Sequence, residues 1–131
     1  MTEPRKVGDV MTPNPVSISE AASLQEAAGL LNSKSITGLP VVDSSGALVG
    51  VLSQTDLIKA QANPQLHESW RGLPVGEIMT KPALTIPSTA GLDEAARLMG
   101  ERKVHRLVVT DAAAAPIGII SASDLVRSWL G

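Results

Sequence analysis

The sequence lacks cysteine, tyrosine and phenylalanine altogether. Without cysteine the chain can form neither a disulfide nor a thiolate metal site. Trp70 and Trp129 are its only aromatic residues, too few for the stacking platform on which single-stranded nucleic acid binds. The formal net charge is -2, so there is no basic field to attract nucleic acid or an anionic membrane. The composition therefore argues against nucleic-acid and membrane partners.

Motifs for catalysis and metal binding are also missing. Neither histidine, His67 or His105, stands beside a carboxylate at metal-ligand spacing, and there is no Walker A pattern and no GxGxxG. We expect His67 to be a solvated residue, and we predict no catalytic residue, no metal site, no cofactor and no enzymatic activity. The sequence has no signal peptide and no apolar run of membrane-spanning length, which favours a soluble, cytoplasmic protein.

An internal repeat organises what is present. Hydrophobic residues make up 44% of the 131 residues, enough for the core of one small domain or two very small ones. Val7–Thr12 is answered by Val75–Thr80, and the register then holds without a gap to the C-terminus. An ungapped repeat of this length indicates two similar units that pack together. We expect a polar tail over residues 1–6, a first repeat over 7–62, a linker over 63–74 and a second repeat over 75–131.

Each repeat is predicted to fold as β-α-β-β-α after a short helical or irregular lead. Alternating apolar and polar residues predict a first strand at Val16–Ile18 and again at Leu84–Ile86. A capping box of Ser23 and Glu26 opens the next helix of the first copy. Both copies of that helix carry apolar residues at i, i+3, i+4 and i+7, namely Leu24, Ala27, Ala28 and Leu31, then Leu92, Ala95, Ala96 and Met99.

A hairpin follows in each copy. The first joins Leu39–Asp43 to Ala47–Leu52 through a turn at Ser44–Gly46, and the second joins Leu107–Asp111 to Pro116–Ile120. Within the first hairpin, Pro40 fits the beginning or edge of a strand better than its middle. In the linker, we expect Trp70 to cover an apolar surface patch.

The last strand of each hairpin runs through a hydroxyl-rich corner into a second helix. The corners are Gly50–Asp56 and Gly118–Asp124. One use of such a corner is helix capping, since Ser-x-x-Asp resembles a capping box and Asp is a favoured N-cap. The other is nucleotide binding, in which hydroxyls and backbone N–H groups hold phosphate and the carboxylate accepts bonds from a ribose diol. The repetition favours the nucleotide use, but the residues alone leave both open.

A charged cluster, Lys103–Leu107, precedes a strand of the second repeat only. It has the residues of a solvated helix end, where cations favour the C-terminal dipole, and it also suits contact with a ligand or an unrelated partner. Its counterpart Ser35–Leu39 lacks both the imidazole and the guanidinium. The repeats are therefore expected to differ here, since Arg106 can grip phosphate bidentately and Gly38 offers only its backbone.

Taken together, these segments resemble the CBS domain family, small modules named after cystathionine β-synthase whose tandem pairs form a Bateman module. The likeness extends from Val7 to about Leu130. It is carried by the Asp-Val-Met-Thr and Glu-Ile-Met-Thr openings, the Leu-Pro-Val-Val-Asp strand and the twin Gly-x-x-Ser-x-x-Asp corners. Each motif alone is weak, and their repetition in this order is specific.

The resemblance implies an α+β fold of two pseudo-symmetric β-α-β-β-α CBS repeats packed sheet to sheet, with two clefts between them. In the family such clefts bind AMP, ADP, ATP or S-adenosylmethionine. It also implies a homodimer, and a regulatory role exerted through an effector protein that the sequence does not identify. The alternative is an assembly module with empty clefts, in which the Ser and Asp residues only cap helices.

Carried over residue by residue, the resemblance implies two ligand sites. In each, the Asp would hold ribose hydroxyls, while Ile36 or Val104 would pack on adenine. One site would use Ser121, Ser123 and Asp124 with His105 and Arg106, completed by Thr12, Ile36 and Thr37. The other would use Ser53, Thr55 and Asp56 with Thr37 and Gly38, completed by Thr80 and Val104.

Overall fold

The computed structural model describes residues 5–131, and within them it is a mixed α+β structure with two sheets, as predicted. The α-helices are α1 (Val7–Val10), α2 (Leu24–Lys34), α3 (Gln54–Ala62), α4 (Val75–Ile78), α5 (Leu92–Arg102) and α6 (Ala122–Leu130). The strands are β1 (Thr12–Pro13), β2 (Ile18–Ser19), β3 (Gly38–Val42), β4 (Leu48–Ser53), β5 (Thr85–Pro87), β6 (Arg106–Thr110) and β7 (Pro116–Ser121). None of these helices is long and apolar enough to cross a membrane.

The chain forms two compact units whose limits differ from those of the repeats. One unit is Val16–Ala83, and the other combines the described residues from 5 to 15 with Leu84–Gly131. The short helix that opens each repeat thus belongs to the unit of the other repeat. Val7 N donates to Ala90 O at 2.9 Å, and Val75 N donates to Ala22 O at 2.8 Å. These bonds anchor α1 beside the loop before α5, and α4 beside the loop before α2.

Each unit contains one sheet. The strand order is β2-β3-β4 in the Val16–Ala83 unit and β1-β7-β6-β5 in the other. The β3–β4 and β6–β7 pairs are antiparallel, which confirms both predicted hairpins. The β2–β3 and β5–β6 pairs are parallel, and α2 and α5 provide the crossover that parallel neighbours require. The first strand of the first repeat is shorter than predicted, since only Ile18–Ser19 pair.

The apolar stripes of α2 and α5 face the two cores. Leu24, Ala27 and Leu31 are buried on α2, and Ala95 and Met99 on α5. The remaining stripe residues, Ala28, Leu92 and Ala96, are half-buried. Each core is completed by its own sheet and by the opening helix of the other repeat, through Val75 in one unit and Val7 in the other.

The cap of α2 is simpler than predicted. Ser23 Oγ accepts a hydrogen bond from Glu26 N at 3.1 Å, so Ser23 is the N-cap. Within residues 5–131 the reciprocal bond from Ser23 N to the Glu26 side chain is not found. This helix start therefore has one half of the capping box.

Pro40 lies at the third of the five residues of β3, between two neighbouring strands, so the edge position expected for it was wrong. Pro40 is opposite Val51 of β4, and Val51 uses its own N–H and C=O on Thr80. On the other side, β2 pairs only from Val41 onward. In the described part of the chain neither neighbouring strand therefore requires an N–H donor at position 40, and proline is tolerated there.

The segment between the repeats is ordered against the first core. Trp70–Gly72 form a turn of 3-10 helix, and Trp70 is half-buried against that core, as predicted. His67 is exposed as expected, with its ring Nδ1 2.9 Å from Gln61 O. Of the expected tail, residues 1–4 lie outside the described part of the chain. Lys6 forms a β-bridge with Gly91, so the folded part begins before residue 7.

Candidate functional site

The first corner is a complete capping box at the start of α3. Ser53 is the N-cap, and its Oγ accepts a hydrogen bond from Asp56 N at 3.2 Å. Asp56 Oδ2 in turn accepts a bond from Ser53 N at 2.9 Å. Asp56 is not the N-cap itself but occupies the third helical position, as the Ser-x-x-Asp capping box requires. The capping use of this corner is therefore realised, and it engages one carboxylate oxygen.

The opening segment of the second repeat lies against this same corner. Thr80 Oγ1 donates to Asp56 Oδ1 at 3.1 Å and lies 3.3 Å from Oδ2. Two backbone bonds with Val51, Thr80 N to Val51 O at 2.8 Å and Val51 N to Thr80 O at 3.0 Å, hold Thr80 in place. The structure thus brings together Thr80 and Asp56, which the sequence analysis assigned to one site.

Residues before β3 form the other wall of the first corner. Gln54 N donates to Thr37 O at 3.0 Å, and Gly38 pairs with Ser53 across the hairpin. Ile36 is half-buried and packs against the core of its unit. Thr55 is exposed on the first turn of α3. Of the residues predicted for this site, all but Val104 belong to the Val16–Ala83 unit.

The second corner repeats the capping box at the start of α6. Ser121 Oγ accepts from Asp124 N at 3.1 Å, and Asp124 Oδ2 accepts from Ser121 N at 2.8 Å. Asp124 is only 8% exposed and is the one charged residue among residues 5–131 that is buried. Ser123 is exposed on the first turn of α6. A buried carboxylate is costly unless it is paired or well hydrogen-bonded, so the partner of its second oxygen matters.

That partner is Arg127, one helical turn further on. Arg127 Nη1 donates to Asp124 Oδ1 at 3.1 Å, while the Arg127 side chain as a whole is 72% exposed. Arg127 was not among the residues predicted from the sequence. The signal that pointed to it is the i, i+3 spacing of Asp and Arg at the start of a helix, which places the two side chains on one face.

The charged cluster borders this second corner. Ala122 N donates to His105 O at 2.8 Å, and Arg106 pairs with Ser121 across the hairpin. The side chains of His105 and Arg106 are exposed, while Val104 is half-buried against the core of this unit. The cluster thus adjoins the capping box, as the predicted site requires.

The second corner differs from the first in its threonine. Thr12 sits on β1, which pairs antiparallel with β7 and brings Thr12 opposite Ile119. Its side chain is exposed, and in the described part of the chain its hydroxyl makes no hydrogen bond to Asp124. Asp56 is bonded by a neutral hydroxyl and Asp124 by a guanidinium. The two corners therefore present different charges to a ligand.

Two glycines allow the opening segment of one repeat to approach the last strand of the hairpin of the other repeat. No role was predicted for them from the sequence. A Cβ at Gly50 would meet Met79 Sδ at 2.7 Å and Thr80 O at 2.8 Å. A Cβ at Gly118 would likewise collide with Met11 and approach Thr12 O to 3.1 Å. Real Cβ atoms do not approach other atoms so closely, so each glycine makes room for a Met-Thr pair of the other repeat.

Two open cavities lie beside α6. One, of about 340 Å³, is lined by Arg5, Val10, Asp124, Arg127, Ser128 and Gly131. The other, of about 430 Å³, is lined by Ala122, Ser123, Val126, Arg127 and Leu130. Within residues 5–131 no group of three His, Asp or Glu side chains is arranged to hold a metal ion.

Some predicted pairings join residues of different units. Ile36 and Thr37 were assigned to the Asp124 site, and Val104 to the Asp56 site, yet each lies in the unit opposite to its Asp. These pairings stay predictions from the resemblance.

Comparison with known proteins supplies the family. A model described as CBS domain matches residues 7–63 and 75–131. The chain is 35% identical over 150 residues to the chloroplastic CBS domain-containing protein CBSX2 of Arabidopsis thaliana, covering 95% of this chain and 63% of CBSX2. It is 32% identical over 124 residues to the inosine-5'-monophosphate dehydrogenase of Nitrosopumilus maritimus, covering 95% of this chain and 24% of the enzyme. The chain therefore spans less than two thirds of the length of these relatives.

Solved structures agree with the family model. The crystal structure of CBSX2 in complex with AMP matches with a TM-score of 0.84 and 37% identity, covering 96% of both chains. The CBS domain pair of protein MJ0100, in complex with 5'-methylthioadenosine and S-adenosyl-L-methionine, matches with a TM-score of 0.84 and 28% identity, covering 98% of both. With two matches of the family model in one chain and this likeness to CBS pairs, the chain belongs to the CBS domain family and carries two CBS domains in tandem.

Proposed function

We propose that this chain is a regulatory module that binds an adenosine-containing ligand at its two Ser-x-x-Asp corners. The observation that carries the proposal is that the two oxygens of each Asp carboxylate have different partners. Oδ2 of Asp56 and of Asp124 is held by the backbone of its N-cap serine, while Oδ1 takes a partner from outside the capping box. A capping box needs only one oxygen, so the other is available to accept bonds from a ribose diol.

The remaining groups at each corner suit the rest of a nucleotide. The N–H groups at a helix start carry partial positive charge and favour phosphate, and the exposed hydroxyls of Thr55 and Ser123 stand at those starts. Arg106 adds a guanidinium and His105 an imidazole at the second corner, whereas Thr37 and Gly38 provide only a hydroxyl and backbone at the first. Ile36 and Val104 are the apolar residues we assign to adenine.

Similar proteins support the choice of ligand class. CBSX2 was crystallised with AMP, and the MJ0100 domain pair with S-adenosyl-L-methionine and 5'-methylthioadenosine. All three ligands contain adenosine. We propose AMP, ADP, ATP or S-adenosylmethionine as the regulatory ligand of this chain, and no resident cofactor.

We further propose a non-catalytic role in which occupancy is passed to an effector protein. Some similar chains are enzymes of which this chain spans about a quarter, such as the inosine-5'-monophosphate dehydrogenase. Within residues 5–131 no His, Asp or Glu cluster for metal catalysis is found. A cytoplasmic location remains a prediction from the sequence. The similar protein CBSX2 is chloroplastic.

A homodimer is part of the proposal. On α6, Val126, Trp129 and Leu130 are 50%, 64% and 83% exposed. Their i, i+3, i+4 spacing places them on one face of the helix, and an exposed apolar stripe of this kind is typical of an interface. A second copy of the chain, presenting the same stripe across a twofold axis, is the occupant we propose. Trp129→Lys is expected to shift the protein to the monomer in light scattering, and an unchanged mass would contradict the dimer.

The second candidate function is an assembly module with empty clefts. It is favoured by the completeness of both capping boxes, which gives a structural role to Ser53 and Asp56 at the first corner and to Ser121 and Asp124 at the second. The two functions differ in one measurable respect, since only the first requires an adenosine ligand.

A thermal-shift titration with adenosine, AMP, ADP, ATP and S-adenosylmethionine decides between them, with GMP as a control for the base. A ligand at 100 times its dissociation constant is expected to add about 2.7 kcal/mol to the free energy of unfolding. Stabilisation by an adenosine ligand and not by GMP supports the regulatory module. No shift with any of them contradicts it and favours assembly.

A further inference from the structure

We propose that Arg127 makes the Asp124 corner selective for 5'-phosphorylated adenosine over S-adenosylmethionine and unphosphorylated adenosine. In the free protein Arg127 occupies Asp124 Oδ1, and on binding it transfers from that carboxylate to the phosphate while ribose hydroxyls take its place. The inference rests on the proposed function, since it concerns the ligand class of the same corner.

The ion pair is not needed for the fold of the corner. The capping box is completed by Asp124 Oδ2 and the Ser121 hydroxyl, and Arg127 contacts only the other oxygen, Oδ1. The Arg127 side chain is 72% exposed and that of Asp124 only 9%, so Arg127 itself loses little when it returns to solvent, and Asp124 is the partner that needs a replacement donor. Arg127 is therefore free to leave Asp124 at small structural cost, provided that another donor replaces it on this buried carboxylate.

The surroundings of the pair suit a ligand with both a diol and an anionic group. Asp124 and Arg127 line the cavity of about 340 Å³, and Arg5 contributes a second guanidinium. Small-molecule sites commonly have volumes of about 300–1,000 Å³. The charged side chains that line this cavity are one carboxylate and two guanidinium groups, and they favour an anion that also carries hydroxyl donors, which is the chemistry of a nucleoside phosphate.

The first corner provides an internal comparison. Lys59 holds the position equivalent to Arg127, three residues after Asp56, and in the described part of the chain it makes no ion pair. The partner of Asp56 Oδ1 is instead the neutral hydroxyl of Thr80. A ribose that approaches Asp56 displaces no cation, so the exchange described for Arg127 is specific to the second corner.

The exchange determines selectivity because its two steps change the free energy of ligand binding in opposite directions. Ribose hydroxyls must first displace a guanidinium from Asp124, and this disfavours every adenosine ligand equally. A 5'-phosphate then accepts charge-assisted bonds from the released Arg127, and such bonds are stronger than neutral ones. Adenosine offers the guanidinium only a neutral 5'-hydroxyl, which is a weaker acceptor than a phosphate. S-adenosylmethionine carries a positively charged sulfonium at the 5' position, which repels the guanidinium of Arg127. Its carboxylate lies at the far end of the methionine group, away from that position.

The test compares ligands in variants that isolate this corner. Since both corners are proposed to bind, all variants are made in the Asp56→Ala background, and AMP, adenosine and S-adenosylmethionine are titrated by calorimetry. Arg127→Ala is expected to weaken AMP roughly tenfold, which equals about 1.4 kcal/mol, while adenosine binds equally well or more tightly. Arg127→Lys is expected to restore part of the preference for AMP, because it keeps the charge and loses the planar fork.

Lys59→Ala in the same background is the matched control, and it is expected to leave the ratio of the AMP and adenosine dissociation constants unchanged. A melting temperature is recorded for each variant, so that a folding defect is separated from a change in binding. If AMP and adenosine weaken equally in Arg127→Ala, or if neither changes, the inference is wrong and the proposed function stands. If the wild-type protein binds no adenosine ligand, both are wrong.

Discussion

Thr80 donates a hydrogen bond to the carboxylate of Asp56 at 3.1 Å, although the two residues come from different repeats of the sequence. The bond joins the opening segment of the second repeat to the helix start of the first. Because that carboxylate also completes the capping box of α3, the Asp56 side chain links the start of α3 to the segment that contains Thr80.

The first prediction concerns this bond. Thr80→Val keeps the shape of the side chain and removes the hydroxyl, so the free energy of unfolding is expected to fall by about 1 kcal/mol, the usual net value of one hydrogen bond. Thr12→Val is the matched control, because the Thr12 hydroxyl makes no bond to Asp124 in the described residues. Urea denaturation measures both. Equal losses in the two variants would show that the Thr80 bond adds nothing specific.

The repeat explains how much of the fold was predictable. Hairpins, helix stripes and corners are local patterns of alternation, apolar spacing and turn residues, and each was predicted twice from independent copies. The assignment of α1 and α4 to the unit of the other repeat was not visible in those patterns. It depends on backbone bonds such as Val7 N to Ala90 O, between residues far apart in the chain, and backbone groups carry no sequence signature.

Residues of the candidate site could be predicted where the type of side chain alone indicates a role, and could not where the role depends on burial or on contacts in the fold. Ser53, Asp56, Ser121 and Asp124 were identified because Ser-x-x-Asp has a defined chemistry. Arg127 was missed because an Asp and an Arg three residues apart are frequent on exposed helix faces, and only the burial of Asp124 gives the pair significance. Pro40 was misplaced because proline inside a strand usually removes a ladder hydrogen bond, and only the registers of the neighbouring strands show that no N–H is needed at this position.

A second prediction separates capping from ligand binding. Asp56→Asn and Asp124→Asn keep an oxygen that can accept the bond from the N-cap serine, and remove the negative charge near a helix N-terminus. That charge is worth about 0.3–1 kcal/mol, so a small loss of stability is expected together with a large loss of affinity for AMP. Thermal melts and calorimetry measure the two effects. AMP affinity that survives in both variants would rule out the ribose role.

The two hairpin turns provide a third prediction. Gly46 has φ +87° in the first turn, and its counterpart Ala114 has φ 64° in the second. A left-handed conformation costs a residue with a Cβ about 1–2 kcal/mol. Gly46→Ala is therefore expected to destabilise the protein by about 1 kcal/mol. Ala114→Gly is expected to stabilise it by less, because glycine also loses more entropy on folding. Changes of the same sign in the two variants would contradict the argument.

A fourth prediction concerns pH. Hydrogen bonds from the Ser45 hydroxyl, at 2.6 Å, and from the backbone N–H groups of Ser45 and Ala47 lower the pKa of Asp43 below its ordinary value of 3.8. Since the unfolded chain binds the proton more tightly, the ionised form adds stability that is complete above about pH 4 and declines as the pH falls through the lowered pKa. The stability difference between wild type and Asp43→Asn should shrink over that range. A difference independent of pH from neutrality to acid would contradict this.

The last prediction concerns the glycine that lets Thr80 reach Asp56. A Cβ at Gly50 would come within 2.7 Å of Met79 Sδ and 2.8 Å of Thr80 O. The sulfur belongs to a flexible side chain and can move, but the carbonyl oxygen belongs to the backbone segment that positions Thr80. Gly50→Ala is therefore expected to destabilise the protein by about 1–3 kcal/mol, as overpacking does, and to weaken AMP binding at the Asp56 corner.

Gly29→Ala is the matched control, because nothing lies within 4 Å of a Cβ there. Gly29 lies inside α2, where alanine is the better helix former by about 1 kcal/mol, so this variant should be more stable and bind AMP normally. Denaturation and calorimetry in the Asp124→Ala background read out the Asp56 corner alone. Normal stability and affinity in Gly50→Ala would mean that the opening segment does not need this close approach.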